Sequence, residues 1–325
     1  MKCTNNSIKL LLPVFFCVVF LAGCGKNEYT IPYDINSPVT AFSFETSDKD
    51  SVADAFATNL CVVSDDVITG EDMEGYGSAA LFDVTNKNVI FSKNANTKMY
   101  PASMTKVMTA LLAIKYGNAE DKLTASDHVL INEAGAQLCG FKPGDTITLD
   151  QALHGLLMYS GNDVAVMIAE YISGSVEEFS KLMNTEATQL GATNTNFVNP
   201  NGLHDEKHYS TAYDMYLIFN EAMKYDYFVE LIHTSNYTTS YTNSAGETVN
   251  ATYNTTNLYL KEEVMAPSNV TVIGGKTGTT NSAGANLILL SKDTSGNPYI
   301  SVVMKSKDRD TLYAKMTNLL ESIGN

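Results

Sequence analysis

The stretch Tyr-Pro-Ala-Ser-Met-Thr-Lys, residues 100–106, carries two side chains that could do chemistry together. Pro101 is tolerated at a first helical position, and apolar residues then recur near helical period up to Gly117, so a helix is predicted here. Residues three apart on a helix share a face, which lets the hydroxyl of Ser103 meet the amine of Lys106. A lysine whose pKa is lowered can activate a serine as a nucleophile. Taken alone, however, this spacing is common by chance, and a solvent-facing pair on an ordinary helix is the simpler interpretation.

Two further short motifs follow in order along the chain. Ser160-Gly161-Asn162 interrupts two apolar helical runs, so its polar groups are expected to project from a loop into a cleft. Lys276-Thr277-Gly278 follows an apolar strand, and Gly275 and Gly278 would let a substrate backbone approach closely. The simpler alternatives are a polar turn between two helices and an ordinary turn after a strand.

Helices and strands are predicted around these motifs, with helices enclosed between strands at both ends of the chain. This order predicts an α+β fold with a mainly antiparallel sheet. The Thr-, Asn- and Tyr-rich stretch 237–256 is compatible with strands or with a long surface excursion. The predicted strands span residues 78–84, 89–92, 270–274, 286–291 and 299–304, and the predicted helices after the first span 151–159, 164–171, 176–190, 211–224 and 310–323.

Composition and charge exclude several classes of function. The chain has 325 residues, of which 44% are hydrophobic, enough for one large domain or two small ones. Its net charge of −15 argues against a general nucleic-acid binder and against binding to an anionic membrane through charge alone. Gly275-Lys276-Thr277 is not the end of a phosphate-binding loop, because position 270 is Val where that motif needs Gly.

The N-terminus predicts export. Lysines precede an apolar run, Leu10 to Ala22, which is too short for a transmembrane helix and typical of a signal peptide. The run ends in Leu21-Ala22-Gly23-Cys24, which resembles a bacterial lipobox. We therefore expect a signal peptide at 1–23, a lipid on Cys24 that tethers the protein to the outer face of the bacterial cytoplasmic membrane, a linker at 24–50 and a catalytic domain at 51–325. An ordinary secretory cleavage site or an uncleaved anchor are the alternatives.

The cysteines and histidines predict no metal site. Of the five cysteines, Cys61 and Cys139 remain in the predicted domain, and we expect buried, unpaired thiols because a domain of this size needs no disulfide. His204 and His208 are four residues apart, but Gly202 lies just upstream and no third ligand is close. A loop or capping role is therefore preferred.

The motifs together resemble a known family, the serine-type D-alanyl-D-alanine carboxypeptidases, which are low-molecular-weight penicillin-binding proteins. The trio Ser-x-x-Lys, Ser-x-Asn and Lys-Thr-Gly in this order is typical of penicillin-binding proteins and class A β-lactamases. The resemblance runs from about residue 52 to the C-terminus. Its matching stretches are Pro101-Ala102-Ser103-Met104-Thr105-Lys106, Ser160-Gly161-Asn162-Asp163, Asn199-Pro200-Asn201-Gly202-Leu203, Tyr209-Ser210-Thr211-Ala212-Tyr213-Asp214-Met215 and Gly275-Lys276-Thr277-Gly278-Thr279, with Ala283-Gly284, Asn286-Leu287 and Arg309.

The resemblance implies a role for each motif. Ser103 would be the acylated nucleophile and Lys106 its general base, with a lowered pKa because two nearby lysines repel each other's protons. Ser160 and Asn162 would relay a proton to the leaving group and bind the substrate amide. Backbone N–H groups of Ser103 and Thr279 would form the oxyanion hole. The carboxylate-binding segment would comprise Lys276, Thr277, Gly278 and Thr279.

The resemblance also implies the fold and the substrate. It implies a β-lactamase/transpeptidase-like α+β fold, in which helices flank a mainly antiparallel sheet beside a mostly helical lobe. The expected substrates are peptidoglycan pentapeptide stems, with β-lactam antibiotics as inhibitors and no cofactor, metal or nucleic acid. Family members often add a second β-rich domain and a C-terminal anchor, and we expect neither here.

Three other functions are alternatives. A class A β-lactamase carries Glu-x-x-Leu-Asn where this chain has Asn199-Pro200-Asn201-Gly202-Leu203, so that function is disfavoured. A D,D-endopeptidase or transpeptidase stays open, because one acyl-enzyme can serve different acceptors. The non-enzymatic alternative is a lipid-tethered module that binds the cell wall.

Overall fold

The computed structural model describes residues 57–68 and 77–324, all of which belong to one compact unit, Ala55–Asn325. The predicted signal peptide, the predicted lipidation site Cys24 and the predicted linker lie outside the described residues. Among the helices that are described, none has both the length and the apolar character needed to cross a bilayer.

Most of the helices lie between two groups of strands along the chain. The strands are β1 Ser78–Asp83, β2 Asn88–Lys93, β3 Lys122–Thr124, β4 Thr146–Thr148, β5 Asn236–Thr242, β6 Thr248–Asn254, β7 Val270–Thr280, β8 Gly284–Asp293 and β9 Pro298–Ser306. The helices are α1 Lys106–Tyr116, α2 Leu149–His154, α3 Asn162–Ser173, α4 Val176–Gln189, α5 Ala212–Ala222, α6 Asp226–His233 and α7 Arg309–Glu321.

The first and last strands of the chain form one antiparallel sheet of five strands in the order β2-β1-β9-β8-β7. Alternate residues along each strand point to opposite faces. Ile288 packs into the core of the helical lobe, whereas its neighbour Leu287 packs against α7 residues such as Leu312 and Met316. The sheet is therefore covered on both faces, and the α+β prediction is confirmed.

Helix α1 is the centre of the helical lobe. Residues 106–113 are all buried, because α3 and α5 pack against the helix and the short turn before it lies beside β7 and β8. The sequence predicted one apolar stripe, but burial extends to almost every side. Leu111 and Leu112 have no exposed surface, so replacing either by alanine should cost about 2–5 kcal/mol of the free energy of unfolding.

The Thr-, Asn- and Tyr-rich stretch forms strands rather than a surface excursion. Strands β5 and β6 pair as an antiparallel hairpin in a second sheet with the order β3-β4-β5-β6. Along both strands, exposed residues alternate with more buried ones. Tyr237 and Tyr253 lie on the inner face, where their rings stack with centroids 6.4 Å apart.

Several predicted boundaries were wrong. The predicted strand 270–274 continues to Thr280, so Lys276-Thr277-Gly278 lies within β7 and not in a turn after it. The predicted helix 151–159 is the short α2 followed by a π-helical turn, Gly155–Tyr159. Cys61 and Cys139 are free thiols as predicted, but only Cys61 is buried and Cys139 is partly exposed.

Candidate active site

Ser103 lies in a short 3₁₀ turn, Ala102–Thr105, that leads into α1. The sequence had predicted Pro101 as the first residue of the helix. In the structure Pro101 instead precedes this turn. Ala102 has a positive φ of 49°, which is unfavourable for a residue with a Cβ atom. The turn still brings the side chains of Ser103 and Lys106 to the same side, and Lys106 Nζ lies 3.1 Å from Ser103 Oγ.

Lys106 is completely buried and has three oxygen neighbours. Besides Ser103 Oγ, its Nζ donates to Asn162 Oδ1 at 2.7 Å and to the backbone carbonyl of Asn201 at 2.6 Å. The pKa of Lys106 is lowered well below its usual value, first because burial disfavours the cation and second because Lys276 carries like charge. The sequence pointed to mutual repulsion, whereas burial is the larger cause.

Ser160 sits where the π-helical turn ends, in the left-handed region with φ 68°. Helix α3 begins at Asn162, so both polar residues lie at the break between two buried helical segments. Gly161 allows Cys139 to pack there, because a Cβ atom would lie only 2.4 Å from Cys139 Sγ. The break therefore presents the Ser160 hydroxyl and the Asn162 amide on one side.

Lys276 reaches this break from β7. Its buried Nζ donates to Ser160 Oγ at 2.9 Å and to the backbone carbonyl of Thr277 at 2.9 Å. Burial lowers the pKa of Lys276 to about 7. Gly278 lies against the Ser103 turn, since a Cβ there would be 2.9 Å from the backbone N of Ser103. The absent side chain lets the strand pass this close.

These residues meet in a cleft of about 400 Å³. Residues of β7, of the loop 133–137 and of the start of α7 line it. Six of the predicted site residues line the cleft, while Lys106 and Lys276 lie buried beneath its surface. The six are Ser103, Ser160, Asn162, Thr277, Gly278 and Thr279.

Other parts of the site were given no role by the sequence. Asn201 contributes through its backbone carbonyl, so the identity of its side chain gives no signal. The loop 133–137 has no motif either. Arg309 was noted only as a family match, but it lines the cleft beside Tyr313 and Thr256. The spacing of Tyr313 from Arg309, one helical turn, was the available clue that both share a face.

His208 is a structural residue. Among residues 57–68 and 77–324 no group of three potential metal ligands occurs. His208 is buried, its Nε2 lies 2.8 Å from Thr105 Oγ1, and its Nδ1 accepts a hydrogen bond from the backbone N–H of Val198 at 3.1 Å. Burial lowers its pKa to about 4. The neutral ring therefore ties the Ser103 turn to the segment that carries Asn201.

Comparisons with known proteins show which family and which solved structures the chain resembles. The profile of the D-alanyl-D-alanine carboxypeptidase family matches residues 69–308. The D-alanyl-D-alanine carboxypeptidase DacF of Bacillus subtilis is 41% identical over 175 residues, covering 53% of this chain and 45% of that protein. DacC of Escherichia coli is 33% identical over 239 residues, covering 70% and 56%. The chain thus spans about half the length of these relatives. The crystal structure of the Streptomyces K15 DD-transpeptidase matches with a TM-score of 0.71 at 26% identity, over 78% of this chain and 98% of that one.

Proposed function

The chain belongs to the D-alanyl-D-alanine carboxypeptidase family, and we propose that it removes the terminal D-alanine from peptidoglycan stem peptides through an acyl-enzyme on Ser103. The observation that carries this proposal is the buried amine of Lys106, 3.1 Å from the Ser103 hydroxyl. β-Lactam antibiotics, which acylate the same kind of serine, are the proposed inhibitors.

Lys106 is the proposed general base. A neutral amine has two N–H donors and one lone pair. The two short contacts, to Asn162 Oδ1 and to the Asn201 carbonyl, occupy both donors. The lone pair is then left for the proton of Ser103 Oγ. The lowered pKa of Lys106 keeps a larger fraction of the amine neutral near pH 7.

The part of the cleft lined by β7 and Arg309 is the proposed binding site for the substrate carboxylate. Lys276 supplies a cation, and the hydroxyls of Thr277 and Thr279, together with Arg309, lie along the same cleft. The backbone N–H groups of Ser103 and Thr279 would stabilise the oxyanion. The close approach of Gly278 to the Ser103 turn supports this pairing, because it brings the strand beside the backbone N of Ser103.

The proposed reaction proceeds in two steps. Ser103 Oγ bonds to the carbonyl carbon of the penultimate D-alanine while its proton passes to Lys106. Ser160, which accepts a hydrogen bond from Lys276, relays this proton from Lys106 to the departing amine as the peptide bond breaks and D-alanine leaves, so that Lys106 is neutral again. Water, with Lys106 again accepting a proton, then hydrolyses the ester and restores Ser103.

Transpeptidation is the second candidate. The K15 DD-transpeptidase aligns over 98% of its own chain, and transfer differs from hydrolysis only in the acceptor, an amine in place of water. Incubating a D-Ala-D-Ala peptide with an amino-acid acceptor distinguishes them. Free acid as the main product supports the carboxypeptidase, and aminolysed peptide supports the transpeptidase.

The proposed location is the outer face of the cytoplasmic membrane. Export and lipidation rest on the apolar run that ends in Leu21-Ala22-Gly23-Cys24. Metabolic labelling with a palmitate analogue should mark the wild type and leave Cys24→Ala unlabelled. Label retained in Cys24→Ala would refute the lipid anchor without bearing on the enzyme.

Intact mass after treatment with benzylpenicillin tests the function directly. The full chain in detergent should gain one penicilloyl group that persists, and Ser103→Ala should gain none. Rapid loss of the adduct, with hydrolysed drug accumulating, would point to a β-lactamase. No adduct in the wild type would refute the acylating enzyme and leave a wall-binding module. Release of D-alanine from a pentapeptide stem then tests the carboxypeptidase step.

A further inference from the structure

Asp163, directly after the Ser-Gly-Asn motif, is a buried acidic residue. The residue is 1% exposed, and four backbone N–H groups donate hydrogen bonds to its carboxylate. Oδ1 accepts from Cys139 at 2.9 Å, and Oδ2 accepts from Gly140 at 2.8 Å and Phe141 at 3.2 Å. Its own helix adds the N–H of Val164 at 3.0 Å. Burying a carboxylate is costly unless such donors compensate it, so Asp163 fixes residues 139–141 firmly.

The segment that Asp163 fixes leads directly into the cleft wall. Residues 133–137 line the cleft, and residue 137 is only two positions before the first donor to Asp163. The carbonyl of Gln137 accepts two hydrogen bonds from Asn162, from the backbone N at 2.8 Å and from Nδ2 at 3.0 Å. The place of this carbonyl therefore decides which way the Asn162 amide faces.

The orientation of that amide matters for Lys106. With Nδ2 on the Gln137 carbonyl, Oδ1 faces Lys106 and accepts one of its N–H groups at 2.7 Å. A rotated amide would present N–H groups to the amine, which would then turn its lone pair towards Asn162 and away from Ser103.

We propose that Asp163 is a positioning residue for acylation: by clamping residues 139–141 it holds the Gln137 carbonyl, which keeps the Asn162 oxygen on Lys106 and the lone pair of Lys106 on Ser103. This inference rests on the proposed function. It adds a residue that touches neither Ser103 nor the cleft and that positions Asn162 through the loop.

Asp145 provides a matched control. It is also buried, at 3% exposed, and also accepts backbone N–H groups, from Lys142 at 2.9 Å and Ser244 at 3.0 Å. It lies four residues after Phe141 but makes no contact with the Ser160–Asn162 motif. Asp163→Asn and Asp145→Asn each exchange a buried acceptor oxygen for an amide, so both are expected to lower stability.

The test is the rate constant for acylation by benzylpenicillin as a function of pH, measured below the melting transition of every variant. Asp163→Asn should lower the maximal rate by about 10- to 100-fold, while Asp145→Asn keeps the wild-type rate. The titratable groups that act on the pKa of Lys106 are Lys276, Cys139 and Asp163, and the charge of Asp163 raises it. The acid limb should therefore move to lower pH in Asp163→Asn only.

Asp163→Glu separates charge from position and also serves if Asp163→Asn does not fold. It keeps the negative charge but displaces the carboxylate, so the rate should fall while the acid limb changes less than in Asp163→Asn. A wild-type rate and pH profile in the folded Asp163 variants would overturn the inference, as would an equal loss of rate in Asp145→Asn. Absence of acylation in the wild type would instead refute the proposed function itself.

Discussion

The charge on Lys276 should set an upper pH limit for acylation. Burial lowers the pKa of this lysine to about 7, and in the proposed mechanism the charged form of Lys276, rather than the neutral amine, attracts the carboxylate of the substrate or the β-lactam. Above that pH the charged fraction of Lys276 falls about tenfold per pH unit. This fall corresponds to a loss of about 1.4 kcal/mol of binding free energy per unit. The second-order rate constant for benzylpenicillin should therefore fall about tenfold for each unit above about pH 7.

Lys106 should set the lower limit of the same profile. Its proposed role requires the neutral amine, so acylation should also decline as acid protonates it. The pKa of Lys106 is lowered well below the usual value for lysine by burial and by the charge of Lys276. Because the two lysines influence each other, the two apparent pKa values of the bell-shaped pH–rate profile belong to the pair and not to either lysine alone.

Two variants make the assay specific. Lys276→Arg keeps its charge throughout this range, so the basic limb should flatten even though the bulkier side chain lowers the maximal rate. Lys98→Gln is the control, because Lys98 is exposed, with its Nζ 4.3 Å from the centre of the Tyr209 ring, and its loss should leave the basic limb unchanged. Acylation that stays constant from pH 7 to about pH 9 in the wild type would refute the role of the Lys276 cation. An unchanged basic limb in Lys276→Arg would assign the titration to another group.

Two stability predictions follow from the segment beside the Ser103 turn. The pKa of His208 is about 4 in the folded protein, against a usual value of 6.5. As the pH drops, the unfolded chain therefore protonates this histidine before the folded protein does. The free energy of unfolding should fall by about 3 kcal/mol between about pH 6.5 and about pH 4. Urea denaturation should show this loss shrinking in His208→Gln, and an equal loss would contradict it. Gly202 and Gly246 share a φ near +82°, but a Cβ at Gly202 would lie 1.9 Å from the Ala102 carbonyl oxygen, whereas at Gly246 it meets no atom within 4 Å. Gly246→Ala should therefore lower the free energy of unfolding by only about 1–2 kcal/mol. Gly202→Ala should lower it by more and should also slow acylation. Equal losses in the two variants would show that neighbouring atoms move to relieve the close contact.

The parts of the site that follow from local sequence were predictable. Ser103 and Lys106 are three residues apart on a continuous turn, so their proximity depends on helical geometry alone. Ser160 and Asn162 lie between two apolar runs, which indicates a break between buried helices. The fold class also followed, because strands at both ends of the chain must pair with each other to bury their apolar faces.

The parts that depend on pairing between distant strands were not predictable to the same extent. The strand carrying Lys276 was expected to end at Gly274, and the three glycines among residues 274–278 disfavour a strand by propensity. In the structure, pairing with β8 along its whole length continues the strand to Thr280, and the glycines are needed where neighbouring backbone lies too close for a Cβ atom. Tertiary contacts therefore outweigh local propensity at the point where the strand passes Ser103.

The same reasoning explains why the environment of Lys106 was only partly foreseen. A sequence shows which side chains can ionise, but the oxygen neighbours of this amine include a backbone carbonyl, at Asn201, which every residue possesses. The Asn162 amide is itself oriented by another carbonyl, at Gln137. Backbone groups of two loops, brought together by the fold, thus decide where the lone pair of Lys106 points. A search for chemical side chains finds the serine and the lysine, and the proposed activation of the serine depends equally on residues such as Asp163 that hold those loops in place.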